Sequence, residues 1–130
     1  MYLLDTNTLI YFFKGMGNVS ENLFLHAPKD IAIPSVVIYE LSVGIAKSSA
    51  PQKRVAQLQE LILHVTIVDF GEKEAKASAA IRADLEHQGI PIGPIDTLIA
   101  GYALANHATL VTHNTKELKR VKNLLLDDWF

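Results

Sequence analysis

Four acidic residues occupy unusually apolar parts of this sequence. Leu3 and Leu4 precede the first of them, and Leu98 and Ile99 follow the third. The four positions are Asp5, Glu40, Asp96 and Glu117. A carboxylate in apolar surroundings is costly unless it is paired or binds a metal. Four such residues from distant parts of one chain predict a single shared site that holds a divalent cation.

Each of these acids also has a structural explanation. Asp5 fits the N-cap of a helix, and Asp96 fits a first-turn acid that the helix dipole favours. Glu40 could be an exposed acid on a helix edge, and Glu117 could belong to a solvated turn. The functional interpretation therefore depends on the combination of the four, and Glu117 is the weakest member when taken alone.

Polar and basic residues near the acids are candidates for supporting roles. The polar group can orient a carboxylate or a metal-bound water and consists of Thr6, Asn7, Thr112 and Asn114. The basic group follows Asn114 and consists of Lys116, Lys119, Arg120 and Lys122. Beside an acidic cleft these cations are candidates for phosphate contacts, and a solvated helix face is the alternative.

Length and composition limit the class of protein. A chain of 130 residues fits one domain spanning 1–130, and a hydrophobic content of 49% is enough for a core. The net charge of −2 gives no overall basic signature, but four acids in one cleft would leave a locally basic surface around it. There are no cysteines and no signal peptide or membrane-spanning run, so we expect a cytoplasmic protein with no membrane association.

Short apolar runs alternate with segments of helical periodicity. Strands are predicted at 2–5, 30–33, 65–68, 109–112 and 124–126. Helices are predicted at 19–26, 72–87 and 95–106, with others before Gly15, from Ser35 as N-cap to Lys47, from Pro51 to Leu63 and as a turn at 115–121. The alternation predicts an α/β fold with a parallel sheet covered on both faces. Ligands bind at the carboxyl ends of such strands, where Asp5 lies and Glu117 follows closely.

The sequence around the acids resembles the PIN-domain ribonucleases and, more narrowly, the VapC toxins of VapBC toxin–antitoxin pairs. The resemblance rests on Met-Tyr-Leu-Leu-Asp-Thr-Asn at the start, Ser-Val-Val-Ile-Tyr-Glu-Leu-Ser-Val-Gly around Glu40, Ile-Asp-Thr-Leu-Ile-Ala around Asp96 and Leu-Val-Thr-His-Asn near the end. It covers essentially the whole chain in order. The ending through Asp-Asp-Trp is similar to the branch that cuts initiator tRNA.

This resemblance implies a PIN-like three-layer fold and a Mg²⁺- or Mn²⁺-dependent endoribonuclease. Asp5 and Asp96 would bind the metal directly, and Glu40 would bind through water or act as general base. Glu117 would complete the site or hold a second metal. Many PIN domains have Asp at that position, so Asn114 could share the role.

The resemblance also implies partners. They are an RNA substrate, with tRNA favoured, a VapB-like antitoxin that neutralises the toxin, and a second copy of the chain in a homodimer. Operator DNA would be bound only through the antitoxin complex.

Three other classes of protein fit the pattern less well. A non-catalytic PIN-like regulator that binds operator DNA with its partner would tolerate damaged acids, whereas all four are present here. A haloacid-dehalogenase-type phosphatase needs a second Asp where Asn7 stands. A receiver domain would place a Lys after a late strand, where this chain has Thr112, His113 and Asn114.

Overall fold

A parallel sheet of five strands forms the centre of the protein in a computed structural model that describes residues 1–130. The strands are β1 (Tyr2–Leu4), β2 (Ile31–Pro34), β3 (Thr66–Val68), β4 (Thr109–Val111) and β5 (Leu125–Asp127). Their order across the sheet is β3-β2-β1-β4-β5, and every neighbouring pair is parallel. The predicted α/β class with a parallel sheet is confirmed.

Seven α-helices and one short 3₁₀ helix connect the strands. The helices are α1 (Thr6–Lys14), α2 (Val19–Phe24), α3 (Ser35–Ala46), α4 (Pro51–Ile62), α5 (Glu72–His87), α6 (Pro94–Ala105) and α7 (Thr115–Leu118), with the 3₁₀ helix at Pro28–Asp30. None of them combines the length and the apolar character that crossing a bilayer requires.

The strand order explains why helices cover both faces of the sheet. The chain moves from β1 to β2 to β3 in one direction, then crosses to β4 and β5 on the other side of β1. Parallel crossovers are almost always right-handed, so opposite directions place the connecting helices on opposite faces. Helices α1–α4 therefore lie on one face, and α5 and α6 on the other. Since the order reverses beside β1, the carboxyl end of β1 opens into a crevice.

The central strands are buried on both faces, as expected for a covered parallel sheet. Leu3, Leu4 and Leu110 are fully buried in β1 and β4. On the face covered by α5 and α6, these two helices approach each other so closely that a Cβ atom at Gly101 would clash with Ser78. The core thus leaves only the strand ends available for a polar site.

The predicted N-cap at Ser35 is wrong. β2 continues through Pro34, whose extended backbone (φ −63°, ψ 141°) places it at the N-cap and makes Ser35 the first helical residue. The Ser35 hydroxyl instead shares a 2.7 Å hydrogen bond with the Tyr102 hydroxyl of α6. The Ser35 hydroxyl is therefore hydrogen-bonded to Tyr102, a residue distant in sequence, and does not cap its own helix.

Candidate functional site

Asp5 lies directly beyond the carboxyl end of β1 and is 5% exposed. Its Oδ1 atom accepts a 2.9 Å hydrogen bond from the Thr8 backbone N–H, which makes it the N-cap of α1. Its own N–H donates to the Val111 carbonyl at the end of β4 (3.2 Å). Asp5 therefore caps α1, as its structural explanation predicted. It also lies in the crevice, where the functional explanation requires it to be.

Glu40 and Asp96 come to the same crevice from two helices. Glu40 lies on α3, and its Oε1 atom accepts a hydrogen bond from the Thr6 hydroxyl at 2.5 Å. Asp96 lies in the first turn of α6. The three carboxylates line one pocket of about 250 Å³ together with Thr6 and Asn7. Glu40 therefore shares a pocket with Asp5, although the two are distant in sequence.

Glu117 joins this group through Asn114 and does not line the pocket itself. The Asn114 side-chain amide donates to Glu117 at 2.8 Å and to Asp96 at 3.4 Å. The backbone N–H of Asn114 in turn donates to the buried hydroxyl of Thr112 at 3.0 Å. Asn114 is therefore the residue that links the fourth acid to the other three.

The electrostatic environment of Asp96 is unfavourable to its charged form. Burial raises the pKa of Asp96 above its ordinary value, and the neighbouring charges of Asp5, Glu117 and Glu40 raise it further, while the hydrogen bond from Asn114 opposes the shift. None of the four acids forms a salt bridge with a Lys, Arg or His side chain. The crevice therefore holds a concentration of negative charge without a salt-bridge partner.

The donor set fits a hard divalent cation, because the carboxylates of Asp5, Glu40 and Asp96 line this pocket together with the Thr6 side chain. In the present rotamers no three acidic or histidine side chains are arranged to hold a metal ion. The hydrogen bonds explain this, since Thr6 holds Glu40, Asn114 holds Glu117 and the Thr8 N–H holds Asp5.

The predicted phosphate-binding cations do not lie in the acidic pocket. Lys116 and Lys119 are exposed on and just after α7. Arg120 donates from Nη1 to the Pro91 carbonyl at 3.2 Å and so ties α7 to the loop before α6. Their contact with a substrate stays a prediction.

Sequence reasoning missed the support that the C-terminal segment gives to the site. The Thr112 N–H donates to the Asp127 carbonyl (2.9 Å), and His113 Nδ1 is 2.9 Å from Asp128 Oδ2. The Phe130 ring stacks on His113 with centroids 4.3 Å apart. These contacts fix the loop that carries Asn114. The sequence shows both the Asp-Asp-Trp-Phe ending and His113, but it does not show that they contact each other.

Comparison with known proteins gives one consistent result. The sequence profile of the PIN domain matches residues 2–124. Ribonuclease VapC2 of Rickettsia felis is 40% identical, with 99% of this chain and 98% of the relative covered. The tRNA(fMet)-specific endonuclease VapC of Shigella flexneri is 36% identical, with 98% and 97% covered.

A solved structure agrees with these sequences. The crystal structure of VapBC2 from Rickettsia felis bound to a DNA fragment from its promoter contains a chain that superposes with a TM-score of 0.90 at 37% identity, covering 99% of this chain and 98% of that one. The resemblance that the motifs predicted is thereby confirmed. The chain belongs to the PIN domain family, among the VapC ribonucleases.

Proposed function

We propose that this chain is a divalent-metal-dependent endoribonuclease toxin that hydrolyses RNA phosphodiesters, with tRNA as its substrate class. The observation that carries the proposal is the crevice in which Asp5, Glu40 and Asp96 line one pocket with no basic partner. The names of its VapC relatives support RNA cleavage, and the Shigella flexneri enzyme's named specificity supports tRNA.

The acids have distinct roles in this proposal. Asp5 and Asp96 would bind Mg²⁺ or Mn²⁺ directly, because both line the acidic pocket and the charge of Asp5 contributes to the raised pKa of Asp96. Glu40 would bind the metal through water or accept the proton of the attacking water. The hydrogen bond from the Thr6 hydroxyl orients the Glu40 carboxylate for this role. Glu117 would complete the metal site from outside the pocket lining, and the hydrogen bond from Asn114 orients its carboxylate.

The chemistry is direct hydrolysis. When bound, the metal lowers the pKa of a water ligand and stabilises the charge that develops on the phosphate. Mg²⁺ usually keeps several waters and takes few carboxylates, which agrees with a crevice of partly separated acids. No cysteine exists in the chain, and no histidine lines the pocket, so the residues offer no side-chain nucleophile of those types. Water attack therefore fits better than a covalent intermediate.

The proposed partners follow from the VapBC complexes among the similar structures. A VapB-like antitoxin neutralises the toxin by covering the acidic crevice, and the chain reaches operator DNA only through that complex. A homodimer is the proposed state of the toxin alone. The solved Rickettsia felis complex with a promoter fragment supports the antitoxin and DNA parts of this proposal.

Replacing Asn114 with Ala tests which residue completes the site. We expect Mn²⁺ affinity and cleavage to fall by roughly 10–100-fold, the usual cost of losing a group that orients ligands. The companion variant Glu117→Gln keeps an acceptor for Asn114 but removes the charge. Mn²⁺ titration and initial cleavage rates measure both variants. Wild-type values for Asn114→Ala alongside a large loss for Glu117→Gln would assign completion to Glu117 and contradict the role given to Asn114.

The proposed activity itself is tested by incubating the purified chain with total tRNA and Mg²⁺. We expect discrete fragments, and sequencing of their ends identifies the RNA and the cut position. The alternative is a non-catalytic PIN-like regulator that binds operator DNA with its partner. Intact tRNA after prolonged incubation with metal, together with operator binding by the complex, would favour that alternative.

A further inference from the structure

A second pocket continues from the acidic crevice. It has a volume of about 440 Å³ and lies between α1, α3 and the start of α4. Glu40 belongs to the lining of both pockets. We call this second pocket the basic groove, defined by Lys14, Arg54, Phe13 and Ser49 beyond Glu40. The two pockets therefore adjoin at Glu40.

The charge of the groove is opposite to that of the crevice. Residues 41–59, which form the end of α3 and most of α4, contain three basic residues and no acid: Lys47, Lys53 and Arg54. Residues 6–20 contain Lys14 as their only charged residue. None of these four cations forms a salt bridge, whereas Lys73, Lys76 and Arg82 on α5 all do. The cations beside the groove are therefore not neutralised by the protein.

We infer that the basic groove binds the single-stranded RNA segment that leads into the cleavage site. This inference rests on the proposed function and adds the path of the substrate. Single-stranded nucleic acids are held by a positive groove that follows the phosphates and by aromatic rings that stack on bases. Lys14 and Arg54 supply the cations, Phe13 lines the wall as an aromatic, and Glu40 marks where the groove meets the acids.

The groove explains how an acidic site admits a polyanion. Four uncompensated carboxylates repel phosphate, so the substrate must gain its binding energy beside them rather than among them. The Arg54 guanidinium is already held over the helix surface by a 2.9 Å hydrogen bond from Nη1 to Gln57, which limits the rotamer freedom it loses on binding. Lys14 lies in the last turn of α1, whose first residue follows Asp5. One short helix thus connects a phosphate-binding cation to the acidic cluster.

The test is RNA binding by the charge-reversed variant Lys14→Glu/Arg54→Glu. A fluorescent single-stranded RNA oligonucleotide is titrated in EDTA, so that no cleavage occurs, and the affinity is measured as a function of salt. Each phosphate contact to a single strand contributes about 0.7 to the slope of log K against log salt, so losing two should lower the slope by about 1.4. Between roughly 50 and 200 mM salt, the wild type should therefore lose about sevenfold more RNA affinity than the groove variant loses.

A matched control changes the net charge by the same amount away from the groove. Lys29 precedes β2 and Lys76 lies on α5, and both are exposed. Lys29→Glu/Lys76→Glu should bind the oligonucleotide as the wild type does. If the reversed groove variant does not fold by circular dichroism, Lys14→Ala/Arg54→Ala carries the same comparison.

Three results separate the possibilities. Equal RNA affinity of the groove and control variants overturns the groove while leaving cleavage by the wild type as evidence for the proposed function. A groove variant that keeps RNA binding but loses a VapB-like antitoxin overturns it too, because the groove is then a protein-docking surface. A wild type that binds RNA in the groove but never cleaves it overturns the proposed function instead.

Discussion

Asp96→Asn should abolish RNA cleavage and at the same time stabilise the metal-free folded chain at neutral pH. The loss of activity follows because an amide is a much weaker ligand for a hard cation than a carboxylate, and a loss of about 10²–10³-fold or more is expected for a central electrostatic group. The gain in stability follows because Asp96 carries charge that its surroundings disfavour. Such a trade of stability for activity is common at functional sites.

The pH dependence of this gain has a defined sign. The pKa of Asp96 in the folded chain is raised above its ordinary value of 3.8, so the folded state holds the proton more tightly than the unfolded state. Stability then falls as the pH rises from the ordinary value through the raised one. Asn cannot ionise. The stability difference between the variant and the wild type should therefore be small below the ordinary pKa, grow across that window and stay constant above it.

Thermal unfolding in EDTA at a series of pH values, combined with cleavage assays in Mg²⁺, measures both effects. Asp84→Asn is the matched control, because Asp84 is an exposed acid on α5 with no salt bridge and should change neither quantity. Asp5→Asn should also remove activity while keeping the fold, since Asn is as good an N-cap as Asp. Wild-type cleavage by either variant at equal Mg²⁺ would exclude that residue as a metal ligand.

EDTA should stop cleavage completely, and Mn²⁺ added in excess should restore it. PIN nucleases in general depend on a divalent metal, and here Asp5, Glu40 and Asp96 line one pocket without a salt-bridge partner. Metal binding should also stabilise the wild-type fold by mass action, about 2.7 kcal/mol at a free concentration of about 100 times Kd. For a domain of this size that shift raises the unfolding temperature by several degrees.

Differential scanning fluorimetry with Mn²⁺, compared with KCl at equal ionic strength, separates specific binding from screening. The wild type should respond to Mn²⁺ alone, and Asp96→Asn should respond to neither salt beyond the ionic-strength effect. Full cleavage activity in the presence of EDTA would remove the metal from the proposed mechanism. An Asp96→Asn variant that Mn²⁺ stabilises as strongly as the wild type would place the metal elsewhere in the protein.

Much of the architecture followed from local patterns. Short aliphatic runs placed all five strands within about a residue or two of their observed bounds, since buried parallel strands need continuous apolar sequence. The helix 72–87 was predicted with its observed bounds, and Pro51 was correctly placed at a helix start. Ser35 was misplaced because its hydroxyl has a partner, Tyr102, that is distant in sequence. Local capping rules cannot anticipate such a competitor.

The sequence by itself determined which residues are the candidates for the chemistry: four carboxylates in apolar settings, of which Asp5 had to stand at a strand end. Only the tertiary structure decided how they meet. Thr6 holds Glu40 across 34 positions, and Asn114 reaches Asp96 across 18. Alternating helices and strands predict a parallel sheet but leave the order of its strands open. The crevice beside β1 arises from that strand order. The contacts that join the acids therefore form only when the strands have assembled in this order.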